Sequence, residues 1–279
     1  MEDAMSYATI LVNLALDHPN EAALAVAGDL ADKTGARVIG VAAAEFSPPA
    51  YYTAGAVAQQ IIETGEGQIR ARLAACEQRF REALSSRTSR LEWRSALAMP
   101  AVWVAEQARA ADVIVSGRGG AHLTDPYAHA DPDDLVMLAG RPLLIVPEAT
   151  TWLDLRRGLV AWKDTAEARR AVAAALPLLR LVGDITVAAI PEQPEQRTSA
   201  EAGARDVVGW LSAHGITATV LVTEAAPDAA ARLQRLSEEL GSGVLVAGAY
   251  GHSRLREWVF GGVTRQIVSR AACCALVSR

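Results

Sequence analysis

The chain is short of nearly everything that marks a specialised class of protein. Three cysteines in 279 residues cannot form a disulfide framework, and none stands in a C-x-x-C or a Cys/His ligand spacing. Cys273 and Cys274 are neighbours, so in a strand they point to opposite faces. Cys76 sits alone in a helical stretch, and all three read as small buried hydrophobes. Basic residues do not outnumber acids: the formal net charge is −5 and the pI is near 5.6. With the arginines spread among acids, the clustered footprint of a nucleic-acid binder is missing. No apolar run approaches the roughly 18 residues that span a bilayer, and Met1-Glu2-Asp3-Ala4-Met5 lacks the basic-then-apolar pattern of a secretory leader. The expectation is a cytoplasmic protein with neither nucleic acid nor membrane as a partner. Aromatic residues make up 5% against 51% hydrophobic overall, so the core is built largely from small side chains, which suit helices packed closely on a sheet.

Catalytic signatures are also missing. There is no G-x-x-x-x-G-K-[ST], no G-x-G-x-x-G after a first strand and no H-E-x-x-H. Gly251-His252-Ser253-Arg254-Leu255 lacks the closing glycine of the G-x-S-x-G nucleophile elbow. Without a reacting group, any slow turnover would depend on bound metal and ordered water. The chain is expected not to be an enzyme.

What the sequence does contain is an internal repeat. Each half opens with an apolar run, Thr9 to Leu14 and Gly158 to Trp162, followed by an Ala-rich helical segment. A second strand follows, Gly35 to Ala42 in one half and Gly183 to Ile190 in the other, with the leading glycines 148 residues apart. Further on, Ala111 to Gly117 and Ser242 to Gly248 are buried-strand runs ending in glycine, now 131 apart. The missing residues lie after the second strand, where the first half carries a long helix from about Ala54 to Ser85. Both halves finish on apolar strands, Pro142 to Val146 and Cys273 to Val277.

Continuous Val/Ile/Leu runs separated by helices are the signature of parallel strands buried on both faces. Each half therefore reads β-α-β-α-β-α-β-α-β. Ala168, Val172, Leu176 and Leu179 share one helix face, as do Leu233, Leu236 and Leu240, and Pro177 is expected to kink the first of these helices. The fold class is α/β, with two tandem doubly wound five-stranded parallel-sheet domains, 1–149 and 150–279, joined near Pro147-Glu148-Ala149-Thr150. So short a linker predicts that the two sheets pack against each other.

In such sheets ligands bind beyond the carboxyl ends of the strands. After the fourth strand of the second half comes Gly248-Ala249-Tyr250-Gly251, then His252, Arg254, Arg256 and Trp258, then Gly261-Gly262-Val263-Thr264. Glycines free the backbone to turn, and amides at a helix start with the Thr264 hydroxyl nearby make an anion site. His252, Arg254 and Arg256 fit either an approach to a triphosphate or a solvated face. Trp258 fits packing better than base stacking.

The spacing Gly248-x2-Gly251-x9-Gly261 resembles the G-x2-G-x9-G-[ST] loop with which ATP-binding universal stress proteins hold ribose and phosphates. The tandem plan is found there too, and the likeness covers nearly the whole chain. It implies an adenine nucleotide alpha hydrolase-like fold, with ATP, accompanied by Mg, as the ligand. It also implies a stress-response or signalling role with a protein partner still to be named. Two positions depart from the family pattern: Gly262 stands where the family has Ser or Thr, and Lys163 stands where ATP-binding members carry an acid after the first strand. Asp164 follows one place late, with Thr165 matching the family's Ser.

In the first half the corresponding stretch, Gly117-Arg118-Gly119-Gly120, has no later glycine pair. Asp131, Asp133 and Asp134 crowd the next helix entry, where they favour capping and repel phosphate, so this half reads as having lost the site. His122, His129, Asp131 and Asp133 read as a polar loop rather than a metal site. Two alternatives stay open: an interaction protein with both loops vestigial, and a nucleotide-hydrolysing or adenylate-forming enzyme supported by fold analogy alone. Because an exposed apolar edge invites association, Leu143–Val146 and Cys274–Val277 are expected to face one another inside one chain. The assembly is then a pseudo-dimeric monomer or a homodimer of such chains.

Overall fold

The first half alternates strand and helix as β1 (Thr9–Asn13), α1 (Glu21–Thr34), β2 (Arg37–Ala44), α2 (Ala56–Leu84), β3 (Leu91–Leu97), α3 (Pro100–Gln107), β4 (Val113–Gly117), α4 (Pro132–Leu138) and β5 (Leu143–Val146). The second half repeats the plan with β6 (Arg157–Trp162), α5 (Ala166–Ala174), α6 (Leu176–Leu179), β7 (Asp184–Ala189), α7 (Arg197–Ala213), β8 (Ala218–Val222), α8 (Ala229–Glu239), β9 (Val244–Gly248) and β10 (Cys274–Ser278). This computed structural model describes residues 6–16, 18–47, 56–118, 126–226, 228–249 and 271–279. The helix expected between β9 and β10 lies outside them. Pro177 acts as expected: with no N–H to give, it separates α5 from α6.

Strand order is β3-β2-β1-β4-β5-β10-β9-β6-β7-β8 in one ten-stranded sheet. Each half is parallel throughout, and the halves join where β5 and β10 pair antiparallel, Leu143 opposite Val277, Leu144 opposite Leu276 and Ile145 opposite Ala275. The expectation that the terminal strands face each other holds. The two five-stranded sheets therefore meet edge to edge and continue as one, which is the form that their packing against each other takes. The reason is the ladder itself: either strand left as an edge would expose a row of unpaired backbone groups on an apolar strand.

Alternation along the strands divides the core between the two faces. Ile10, Val12, Leu144, Val160, Val246, Cys274 and Leu276 lie with the buried sides of α1, α2, α5, α6 and α7. Leu11, Ile114, Leu143, Ile145, Leu159, Leu245 and Val277 lie with α3, α4 and α8. Cys273 packs on this second face, so the two neighbouring thiols do point apart. Ala168, Val172, Leu176, Leu179, Leu233 and Leu236 are all buried, each contributing about 1–3 kcal/mol according to its size. The outer strands β3 and β8 are only partly buried. On β3, Glu92 pairs with Arg94 at 2.7 Å and with Arg37 at 3.4 Å, charges that discourage another strand from docking.

The linker is packed rather than merely short. Leu153 and Leu155 are buried in the core, and the Leu153 amide donates to Asp29 Oδ2 at 2.7 Å. Asp29 is held in turn by Arg87, whose Nε also meets Asp32 Oδ2 at 2.6 Å. From the first strand's approach, the buried Tyr7 hydroxyl donates to the Ala174 carbonyl of the other half at 3.1 Å.

Two expected outcomes follow from this core. A Cβ at Gly40 would lie 2.8 Å from both the Phe80 and Trp93 rings, so Gly40→Val is expected to cost about 1–3 kcal/mol in urea unfolding. Burial pushes the Cys274 thiol from a free thiol's 9.0 up to about 12, and it raises Cys273 and the Tyr7 phenol in the same direction. Below 9.0 both folded and unfolded chains keep these groups neutral; above it the unfolded chain ionises first, so stability falls as pH rises from 9.0 toward about 12. The urea midpoint is expected to hold steady between about pH 7 and 8 and to drop by about pH 10, less so in Cys274→Ala.

Candidate functional site

Strand order reverses twice in this sheet, between β1 and β4 and between β6 and β9. At the first reversal α1 and α4, which follow the two strands, pack on opposite faces, and a doubly wound sheet carries a crevice beyond the strand ends at each such point.

In the second half the floor of that crevice is Trp162-Lys163-Asp164-Thr165 from β6 and Gly248-Ala249 from β9. Thr165 turns the chain into α5: its backbone N–H donates to the Lys163 carbonyl at 2.7 Å, and its hydroxyl caps the helix by accepting from the Ala168 amide at 3.3 Å. Asp164 is exposed and paired with Arg169, while the Lys163 ammonium reaches Glu192 Oε1, just past β7, at 2.6 Å. Gly248 is glycine for a packing reason. A Cβ there would lie 2.5 Å from the Ala168 amide nitrogen and 2.8 Å from the Glu167 carbonyl carbon, so its absence lets the start of α5 rest on the end of β9. The β9 ladder continues one step further, with Ala249 N–H donating to the Ser278 carbonyl at 2.9 Å.

The structure thus brings together Lys163, Asp164, Thr165 and Gly248. The remaining predicted residues, Gly251, His252, Arg254, Gly261, Gly262, Val263 and Thr264, lie outside the described residues, as does Trp258. Two carboxylates join the site that the sequence did not single out. Glu167, in the first turn of α5, has only 4% of its surface exposed and accepts from Arg170 at 3.1 Å, a charge that suits a helix start. Arg170 also donates to the Arg279 carbonyl at 2.7 Å. An acid just inside a Thr cap was a legible signal for Glu167. Glu192 had none, because its meeting with Lys163 requires knowing that β6 and β7 are neighbours.

The first half is arranged differently. Asn13, on β1, donates to Ser116 on β4 at 3.0 Å, joining the two strand ends. The Tyr127 carbonyl accepts from the Glu45 amide, past the end of β2, at 2.8 Å, and His129 and Ala130 are buried. Asp131 caps α4 by accepting from the Asp133 amide at 2.8 Å, as the acid-rich stretch predicts. Burial, with Asp131 and Asp133 close by, raises the Asp134 carboxyl above its ordinary range. Among the described residues no three His, Cys, Asp or Glu side chains gather as a metal site; His122 lies outside them. Arg118, directly after β4, extends into the other half and donates to the Ala271 carbonyl. Burial lowers its pKa, against the pull of Glu148.

No family model matches the sequence, and no curated protein matches it either. Solved structures do. A universal stress protein from Archaeoglobus fulgidus DSM 4304 superposes with a TM-score of 0.73 at 13% identity, covering 100% of this chain and 99% of that one. A functionally unknown protein from Pseudomonas aeruginosa PAO1 gives a TM-score of 0.62 at 19% identity, over 98% of this chain and 93% of the other. A protein from P. aeruginosa UCBPP-PA14, provisionally assigned as a universal stress protein, gives 0.64 at 19%, over 98% and 94%. The chain has the universal stress protein fold, and the likeness runs through both of its halves. Among the described residues no helix is long and apolar enough to cross a membrane.

If Gly248 serves packing as described, Gly248→Ala is expected to cost about 1–3 kcal/mol in denaturant unfolding with no ligand present. An unchanged midpoint would show that α5 does not rest on β9.

Proposed function

We propose that the chain is a cytoplasmic universal stress protein, a non-catalytic stress-response or signalling module that binds ATP or a related nucleotide in its second half. In this reading 1–149 and 150–279 are its two domains, and only the second retains a working crevice. The observation that carries the proposal is positional. The spacing Gly248-x2-Gly251-x9-Gly261 begins where β9 ends, at the reversal of strand order, against the capped start of α5. That is where a phosphate-holding backbone loop is useful in a doubly wound sheet. Lys163 adds a cation at the neighbouring strand end. Mg, if it accompanies the ligand, would be brought by the phosphates, since Asp164 is engaged with Arg169.

The competing reading, an interaction protein with no nucleotide, draws on Gly248 itself. Packing already accounts for that glycine, and the Asn13–Ser116 contact shows that a strand-end crevice of this fold can be tied across by its own side chains.

Denaturing the purified chain and identifying released small molecules by mass spectrometry, followed by calorimetric titration with nucleotide, separates the two. The expected outcome is a co-purifying or titratable nucleotide, with affinity lowered about tenfold or more when Gly251 and Gly261 are both replaced by valine. No release and no binding at millimolar nucleotide would establish the interaction-protein reading.

A further inference from the structure

We propose that β8 is a docking edge for a second copy of this chain, the two copies pairing their β8 strands antiparallel about a two-fold axis at Val220 and continuing one sheet into the other. The pairing does not depend on the nucleotide reading above. β3 and β8 are the two outer strands of the sheet, and they are finished differently. β3 carries Glu92 and Arg94, with Arg37 alongside. From Ile216 to Thr223 the β8 segment has no charged residue and no proline, and its ladder with β7 runs from Ala218 to Val222 without a skipped residue. Charge, proline and bulges are what keep an open edge from pairing, and β8 has none of them.

The open backbone groups on this edge match their own copy. The Thr223 amide donates inward to the Ala189 carbonyl at 3.1 Å. Backbone groups alternate in direction along a strand, so Ala218, Val220 and Val222 turn their N–H and C=O groups outward. These three residues are placed symmetrically about Val220. A second copy turned about a two-fold axis there sets Val220 opposite Val220 and Ala218 opposite Val222, each pair exchanging two hydrogen bonds, about six in all. No outward group of the strand is left over. Between these pairs the exposed Thr219 of one copy meets the half-buried Leu221 of the other.

The helix beside the edge is complementary as well. α7 packs on β7 and β8. A Cβ at Gly203 would lie 3.1 Å from the Trp162 indole nitrogen, so the Gly203 side of α7 is turned toward β6. At about 100° per residue, the side turned toward the open edge holds Glu201, Arg205, Val208 and Ser212. Arg197 donates to the Thr223 carbonyl at 3.0 Å, which sets helix and strand in register. Val220 lies three residues back from Thr223, roughly 10 Å, a distance that α7 covers in about 6–7 residues. The axis therefore passes between Glu201 and Arg205, an ion pair at 2.6 Å on the helix surface. Each copy then presents Glu201 to Arg205 of the other. One strand spacing across the seam and half a spacing on each side put the two α7 axes roughly 10 Å apart, a normal helix-packing distance. A free peptide would find only the ladder, whereas a second copy gains the helices too.

Sedimentation of the full chain at concentrations up to about 0.1 mM tests the pairing, on the wild type and on Thr219→Lys, Arg205→Glu and Glu201→Arg, with thermal melting to confirm that each variant folds. The expected result is a dimer in the wild type, weakened at least about tenfold in each variant, because a charge on the edge or like charges across the axis oppose pairing. Mixing Arg205→Glu with Glu201→Arg sets an acidic flank against a basic one and is expected to restore the dimer. A wild type that stays monomeric overturns the proposal. So does a dimer that Thr219→Lys does not weaken, since its contact would lie elsewhere. Failure of the mixed variants to recover overturns the axis at Val220.

Discussion

The antiparallel ladder between β5 and β10 is the constraint on which the rest of this molecule depends. Both are short, apolar strands whose side chains are buried on both faces, and each would be the unpaired edge of its own half. Paired, they turn two five-stranded sheets into one, give each face a core that runs through the seam, and oppose the two halves across it. Tyr7, Asp29 and the buried linker leucines reinforce the same joint from one face. From the other end of the sheet, Arg118 reaches the Ala271 carbonyl just ahead of β10.

Joined in this way, the halves are free to diverge at their strand ends without losing the fold. The first half spends its crevice on itself: Asn13 binds Ser116, the Tyr127 carbonyl takes the Glu45 amide, and an aspartate caps the following helix. The second half keeps a threonine cap, a backbone contact at Gly248 that tolerates no side chain, and a lysine and a glutamate projecting from adjacent strand ends. A single β-α repeat thus gives one crevice bridged by its own residues and one bordered by exposed charge.

Most of the architecture was legible in the sequence because its signals are local or repeated. Continuous Val/Ile/Leu runs marked the parallel strands, Pro177 marked the break between α5 and α6, and the need to cover two apolar terminal strands led to their pairing. The candidate site was less legible because its contacts depend on lateral strand order. Nothing local announces that Lys163 meets Glu192, or that Gly248 is glycine because α5 begins against it. Fusion of the two sheets into one followed from the same terminal pairing, whereas the short linker by itself said only that the sheets pack against each other. Likewise, the isolated pattern of Leu153 and Leu155 gave no sign that the linker enters the core.

Amide hydrogen exchange along β5 and β10 tests the central claim most directly. The account predicts that the amides that bond across the seam, within Leu143–Val146 and Cys274–Val277, exchange as slowly as those of the interior strands β1 and β6. They should open only with global unfolding. Faster exchange confined to β5 and β10, with the interior of each half still protected, would contradict it, because the two sheets would then be separable units rather than one.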